Sequence, residues 1–442
     1  MREQWGSQAG FILAAIGSAV GLGNIWRFAY VAGENGGGAF LVVYLVIVLT
    51  IGLPLVIAEI SIGKRTGADG VTAFERLAPA SPWRRVGWLG VAGSALILAY
   101  YSVIAGWALR YFFAAAGGTL WERPPGGFAE SFHGFIGHPL EPLGWHVAMM
   151  VLSMAVVLAG VARGIERACL WLMPMLALIV LGLAGFALTL PGSSGGVAFL
   201  FTPRWEALFD PRVILAATGQ AFFSIGLGMA VYVTYGSYLR PEQRIARPAA
   251  VIVGADTSFA IVAGLAIFPA VFAMGGNPAV GAELAFITLP DIFLAMPAGK
   301  VVAIAFFLLL SAAALTSMIS LLEVPVAVLI HRLGLRRRNA VLAVGGTALL
   351  GGVPPALGYG PLAWLSVTGA PLLEEVDHVV SNLILPLAGL GLALFFGWVL
   401  PAGSARDMAG MAGLAWRLVH GTIRYLAPAF ILGLMVFRLT SG

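Results

Sequence analysis

Charge is scarce in this sequence. Lys, Arg, Asp and Glu make up 10% of the 442 residues, against 60% hydrophobic ones. A soluble globular chain carries about 25% charged residues, so the composition leaves no room for a soluble domain and points to a polytopic membrane protein. Cysteine is nearly absent: Cys169 stands alone, which excludes an intramolecular disulfide and reads as a small apolar packing residue. A phosphate-binding loop, a metal-spaced His/Cys set and a nucleophile–base pair are all missing, which argues against an intramembrane enzyme. His133, His138, His146, His331, His378 and His420 are scattered, mostly near loops, and are expected at the surface. The net charge of +5 signals no nucleic-acid partner. A cleaved leader is not expected either, because the first apolar run is long, lacks a small-residue cleavage site and continues into Arg27 and Glu34.

What the sequence does have is apolar runs. A helix needs about 20 such residues to cross a bilayer. Eleven runs qualify, with approximate edges 8–33, 38–63, 86–116, 145–162, 166–190, 213–238, 248–275, 299–331, 338–356, 374–400 and 412–438. The fold class is all-α, a single transmembrane domain over 1–442. Lys and Arg collect in cytoplasmic loops. With the N-terminus inside, the inner connections hold Lys64, Arg65, Arg76, Arg84, Arg85, Arg163, Arg167, Arg240, Arg244, Arg247, Arg332, Arg336, Arg337, Arg338, Arg406 and Arg417. The outer ones hold mainly Arg123, Arg204, Arg212 and Lys300. The expected placement is multi-pass in the inner (plasma) membrane, N-terminus cytoplasmic and C-terminus outside. Loops 117–144 and 276–298 are long enough for structure of their own, and loop 64–85 is expected to contain a short helix at Gly70–Leu77.

One stretch organises the rest: Gly17-Ser18-Ala19-Val20-Gly21-Leu22-Gly23-Asn24-Ile25-Trp26-Arg27-Phe28. Each of its glycines costs a helix about 1 kcal/mol relative to alanine. In lipid, the backbone groups so freed must find partners inside the protein or in a water-filled cavity. Ala19 to Gly23 therefore reads as a break in a membrane helix that leaves amides and carbonyls for ligands. Asn24 and Arg27 follow at membrane depth, where polar residues mark function. Downstream, Gln220-Ala221-Phe222-Phe223-Ser224-Ile225-Gly226-Leu227-Gly228-Met229 repeats the Gly-Leu-Gly. Such glycines can simply let helices pack closely. Two glycine-interrupted runs in matching places of two halves, each beside polar residues, favour a binding site.

The run Gly17 to Phe28, continued by Glu34-Asn35-Gly36-Gly37-Gly38-Ala39-Phe40, resembles the first helix and first outer loop of neurotransmitter:sodium symporters, and the resemblance covers nearly the whole chain. It implies a bacterial member with the LeuT-type fold. The expected parts are two inverted five-helix repeats, about 8–190 and 213–400, and an extra helix at about 412–438. The twelfth helix of many members, which lies outside the ten-helix core, is not expected among these eleven runs. Two Na+ sites are implied, and a hard cation suits oxygen ligands. One uses the carbonyls of Gly17, Val20 and Ala313 with the hydroxyls of Thr316 and Ser317, although those hydroxyls can equally bond back to their own helix. The other uses the Ala19 carbonyl, Asn24, Ser224 and Asp256. Asp256 replaces an amide common in the family and lies in the apolar stretch Val253-Gly254-Ala255-Asp256-Thr257-Ser258-Phe259. An unpaired carboxylate there is costly. A bound cation would neutralise it, and its fixed charge would stand in for the chloride some members require. The competing reading pairs Asp256 with an unidentified cationic side chain.

The same resemblance locates the substrate at the breaks. Free amides of Leu22 and Gly23 at a helix N-terminus favour an anion, and Tyr101 matches the tyrosine that bonds the substrate carboxylate. By pattern alone Tyr101 reads as a packed aromatic. Carbonyls of Ala19, Phe223, Ser224 and Gly226 would take the amine. Ile97, Tyr101, Phe223, Gly226, Met229, Ser317 and Leu321 would line an apolar pocket. Gly21 stands where monoamine transporters of the family carry an Asp, which implies a substrate with its own carboxylate; Gly226 and Met229 imply room for a sizeable side chain. Outer gating maps to Arg27 and Asp377, with Gln220 beside Arg27 and Phe223 closing over the substrate. The inner latch maps to Arg2, Trp5 and Tyr238. Its acid falls at His331, which is not one, so the latch is lost or uses another carboxylate. Glu59 resembles the glutamate that braces the second break. The implied function is sodium-coupled uptake of an apolar or aromatic α-amino acid by alternating access across the lipid bilayer, with no protein partner and no chloride requirement. Transport of a non-α acid such as taurine or GABA is the alternative, and an amino-acid receptor or channel without coupled flux is the alternative of another class.

Overall fold

The computed structural model describes residues 3–122, 127–279 and 281–441, and every regular element among them is a helix. The first span is two pieces, α1a (Gln8–Ala19) and α1b (Gly23–Glu34), bent by 49° at the expected break. Unbroken spans follow as α2 (Gly38–Thr66), α3 (Pro82–Gly117), α4 (Glu141–Leu158) and α5 (Val161–Leu188). The sixth run is again two pieces, α6a (Pro211–Ile225) and α6b (Val231–Ser237). The remaining spans are α7 (Ala246–Ala273), α8 (Gly299–Leu333), α9 (Arg337–Leu357), α10 (Leu372–Val399) and α11 (Gly413–Phe437). Ten of the eleven expected runs thus hold a helix, or a bent pair, long and apolar enough to cross a membrane, and the sixth holds the pair α6a and α6b. Both broken runs carry Gly-Leu-Gly, as does the unbroken α10 at Gly389-Leu390-Gly391.

The chain starts and stops these pieces by local chemistry. Ser7 Oγ accepts the Gly10 amide at 2.9 Å and opens α1a, while Asp210 Oδ1 accepts the Arg212 amide at 2.8 Å and opens α6a, with Pro211 in its first turn. These side chains satisfy donors that a helix leaves free at its start. α6a ends where Gly226 takes φ +79°, a conformation that only glycine adopts without steric cost. Ala230 closes the same break at φ +55°. The expected short helix of loop 64–85 spans Thr72–Leu77, and the two outer loops contain Gly127–Ile136 and Thr288–Ala295. Helices Ser194–Phe201 and Ala402–Ala409 were not anticipated.

α3 and α8 pack along each other as a scaffold, and α1a runs between α5, α7 and α8. α6b lies against α2 at backbone contact: a Cβ on Gly63 would fall 1.9 Å from the Val233 carbonyl oxygen, and one on Gly236 would fall 2.7 Å from that of Ile60. Such close approach needs glycine on both helices. Glu59 of α2 accepts the Gly228 amide at 2.8 Å, as the brace it resembled. The expectation of surface histidines fails at His146. It is buried between α3, α4 and α9, with Nδ1 2.8 Å from Ser102 Oγ and Nε2 3.1 Å from the Leu349 carbonyl. Both ring nitrogens are satisfied, which is what lets an imidazole sit inside a bundle.

Candidate functional site

Asp256 lies midway along α7 and is wholly buried. Asn24 Nδ2 donates to its Oδ1 at 2.7 Å, to its carbonyl at 3.1 Å and to Ser224 Oγ at 3.0 Å. Ser224 Oγ lies 3.2 and 3.1 Å from the two Asp256 oxygens. Asn24 Oδ1 accepts the Gly21 amide at 3.0 Å, one of the donors freed by the first break. α1b, α6a and α7 therefore meet at one oxygen-rich point. Among the described residues no Lys, Arg or His forms an ion pair with Asp256, which removes the reading that gave it a cationic partner. Tyr44 of α2 brings its hydroxyl against Ser224, Thr257 and Asp256. Neither Tyr44 Oη nor Thr257 Oγ1 has a hydrogen-bond partner of good geometry. A buried carboxylate without counter-charge costs several kcal/mol, and carboxylate, amide and hydroxyl oxygens together are what a hard cation takes.

The second candidate group lies where α8 meets the end of α1a. Thr316 Oγ1 donates to the Ala313 carbonyl at 2.9 Å, within its own helix. Ser317 Oγ instead crosses to the Ser18 carbonyl at 3.2 Å, and Ser18 Oγ meets Ser320 Oγ at 2.7 Å. Only one of the paired hydroxyls thus turns back on its own helix. Gly17, Ala19, Val20 and Ala313 are all buried here. A Cβ on Gly17 would lie 3.3 Å from Cys169 Sγ, so α5 closes the other side of α1a and Cys169 packs as expected.

Between these groups the substrate-lining candidates converge. Tyr101 Oη accepts the Leu22 amide at 2.9 Å. That amide, expected free, is held by the hydroxyl expected to share an anion with it. A Cβ on Gly21 would fall 2.3 Å from Ser317 Oγ and 2.8 Å from Tyr101 Oη, and one on Gly23 would fall 3.1 Å from Phe223 Cδ1. At Gly226 a Cβ would meet only Met229 Sδ, at 3.7 Å. Backbone conformation, at φ +79°, therefore requires glycine at 226 whatever the space beside it. Ile97, Met229 and Leu321 are buried.

Two gates differ from expectation. On the outer side Arg27 lies 4.3 Å above the Phe223 ring, and its Nη1 is 3.5 Å from Ser381 Oγ. Ser381 Oγ donates to Asp377 Oδ1 at 3.0 Å, and Tyr100 Oη donates to the same oxygen at 2.8 Å. Arg27 and Asp377 are joined through Ser381 rather than by a direct ion pair, because a π-helical turn over Val380–Ile384 sets Ser381 between them. Gln220 does not serve Arg27; its Nε2 donates to the Gly23 carbonyl at 2.7 Å. On the inner side Arg2 lies outside the described residues. Trp5 Nε1 donates to the Tyr235 carbonyl at 2.9 Å, and Tyr238 Oη donates to Glu323 Oε1 at 2.5 Å. Arg337 forks onto Glu323 at 2.7 and 2.9 Å and onto Glu3 at 2.8 and 2.6 Å. The buried carboxylate that meets Tyr238 is thus Glu323. His331 pairs instead with Asp69, Nδ1 to Oδ2 at 3.3 Å. Sequence reasoning missed Tyr44, Ser381, Glu323 and Arg337. Glu323 alone had a signal, as a single acid in the apolar middle of run eight.

Residues 2–124 and 136–441 match the sequence model of the sodium:neurotransmitter symporter family. A sodium-dependent transporter of Bacillus subtilis (strain 168), YhdH, is 40% identical over 392 residues, which are 89% of this chain and 87% of that one. A sodium-dependent transporter of Haemophilus influenzae is 31% identical over 450 residues, 99% of this chain and 98% of that one. The solved structure of MhsT in complex with L-phenylalanine superposes with a TM-score of 0.93 at 47% identity, covering 99% of both chains. Likeness of this extent carries the LeuT-type fold as well as the kinship. The chain belongs to the sodium:neurotransmitter symporter family and is a sodium-dependent, multi-pass membrane symporter.

Proposed function

We propose that the protein takes up an apolar or aromatic α-amino acid, coupled to two sodium ions. One ion is held by the Ala19 carbonyl, Asn24, Ser224 and Asp256. The other is held by the carbonyls of Gly17, Val20 and Ala313 with Thr316 and Ser317. The observation that carries this reading is Asp256: a wholly buried carboxylate with no cationic side chain paired to it among the described residues, tied to Asn24 and Ser224. Its fixed charge makes chloride dispensable. The substrate carboxylate takes the position between the Leu22 and Gly23 amides and Tyr101. Gly21, which has no room for even a methyl group, supports a substrate that brings its own acid. MhsT holds L-phenylalanine in its solved structure, which supports an apolar side chain in the pocket of Ile97, Phe223, Gly226, Met229 and Leu321. The N-terminus is cytoplasmic in the plasma membrane, and the repeats 8–190 and 213–400 move against each other about the two breaks.

A thermal-shift screen of the purified protein against amino acids tests the reading, in sodium chloride, sodium gluconate, potassium chloride and choline chloride. Phenylalanine, tryptophan or leucine should stabilise it in both sodium salts and in neither of the others. Stabilisation that persists in potassium and choline would refute the coupling, and a requirement for chloride would refute the role of Asp256. Taurine or GABA ahead of every α-amino acid would replace the substrate class.

A further inference from the structure

α11 has the least protein around it of the nine unbroken spans, yet it carries Arg417, His420 and Arg424. The spacing of three and then four residues lines them along one helix face. Among the described residues none of the three has a carboxylate partner. Arg424 Nε and His420 Nε2 are both screened from solvent and have no hydrogen-bond partner.

The place is built rather than incidental. α11 is π-helical over Thr422–Leu426, and α10 is π-helical over its last turn, Phe395–Val399. Such turns recur at functional sites. The two face each other: Trp398 Nε1 donates to the Arg424 carbonyl at 2.7 Å, and a Cβ on Gly397 would fall 2.8 Å from Arg424 Cα. The guanidinium stacks 4.4 Å above the Trp398 ring and 5.5 Å from the centre of Tyr425. Cation–π stacking fixes the plane of an arginine while leaving its edge free to fork onto an oxyanion. Trp398 ends a span, and Trp and Tyr settle at the headgroup level of a bilayer. Trp398 and Tyr425 are 53% and 59% exposed, with Leu418 and Leu426 exposed beside them.

We infer that this cleft between the last turn of α10 and the middle of α11 binds the phosphate of an anionic phospholipid. Arg424 and His420 supply the donors, Trp398 and Tyr425 border the headgroup, and Leu418 and Leu426 meet the acyl chains. Those apolar shoulders on a lipid-facing helix favour a lipid over a free anion. Basic pockets between membrane helices on the cytoplasmic side commonly hold such headgroups. Only the name of the leaflet, cytoplasmic, rests on the orientation proposed above; sodium coupling does not enter.

Native mass spectrometry of the intact protein in mixed micelles with equal parts phosphatidylglycerol and phosphatidylcholine tests the site. Wild type should retain phosphatidylglycerol over phosphatidylcholine roughly fivefold, the worth of one cation near a lipid surface. Arg424→Gln should bring the ratio near parity, Arg424→Lys should keep part of it, and Arg406→Gln should leave it unchanged. If Arg424→Gln does not fold, the double variant His420→Gln/Arg417→Gln is read the same way. No preference in wild type, an unchanged preference in the variants, or an equal fall with Arg406→Gln would overturn the site. Excess inorganic phosphate should not release the bound phosphatidylglycerol; release would assign the cleft to a free anion and overturn the lipid.

Discussion

At the scale of residues, the site depends on what Gly21 and Asp256 each do without. Gly21 has no side chain, and the 2.3 Å that would separate its Cβ from Ser317 Oγ leaves no room for one. Overpacking of this kind costs about 1–3 kcal/mol. Gly21→Ala is therefore expected to weaken binding of every α-amino acid roughly 5- to 150-fold, read by equilibrium binding in saturating sodium; unchanged affinity would place residue 21 away from the substrate. Among the described residues Asp256 has no ion-pair partner. Asp256→Asn removes the charge that a cation would neutralise and is expected to lower sodium affinity about tenfold or more, since 1.4 kcal/mol of lost charge interaction suffices for that. Sodium titration of substrate binding measures it, and an unshifted midpoint would contradict the assignment. Asn24, Ser224 and Asp256 were legible in the sequence because a polar residue in an apolar run stands out. Tyr44 was not: in a chain so rich in buried aromatics, a hydroxyl aimed at a carboxylate has the same signature as a packed ring. Arg337 was hidden for a different reason. It sits in Arg336-Arg337-Arg338, which reads as a loop charge and nothing more.

At the scale of elements, the inner latch joins the N-terminal segment, α6b, α8 and α9 through Glu3, Tyr238, Glu323 and Arg337. Arg337→Gln leaves Glu323 buried and unpaired, a loss of about 3–5 kcal/mol when one partner of a buried pair is removed. The latched arrangement should give way to one open on that side. Cys169, the one cysteine of the chain, faces Gly17 of α1a from α5 and reports the opening without any engineered label site. Its alkylation by a water-soluble maleimide should be faster in Arg337→Gln than in wild type, and equal rates would show that the latch does not hold the inner side shut. Nearby, Asp69 anchors the turn between α2 and α3. Burial pushes its carboxyl up, but the adjacent His331 imidazole and the hydrogen bonds that Oδ1 accepts from the Thr72 and Val71 amides more than offset this and hold it below the usual carboxylate range. A depressed folded-state pKa contributes stability above the unfolded value and loses it as pH falls through the folded one. Asp69→Ala should therefore cost about 2 kcal/mol at neutral pH, and the gap to wild type in thermal unfolding should close below the ordinary carboxylate pKa of about 4. A gap that persists there would mean the loss is steric. The two helix breaks were readable from glycines beside polar residues in matching places, not from spacing alone, since Gly389-Leu390-Gly391 leaves α10 unbroken. The relay through Ser381 was not, since it depends on a π-helical turn that no local pattern announces.

At the scale of the whole molecule, the positive-inside bias, the two broken spans and the buried carboxylate beside the first break are the features on which we propose one device, in which a cation and an amino acid share a site at mid-membrane. The central claim is that the ion gradient drives the substrate. It is tested most directly by uptake of labelled L-phenylalanine into proteoliposomes with sodium imposed outside and potassium inside. Accumulation above the external concentration, abolished by collapsing the sodium gradient and unaffected by replacing chloride with gluconate, is the predicted result. Equilibration to the external concentration whatever the gradient, or accumulation that survives the complete replacement of sodium, would contradict it.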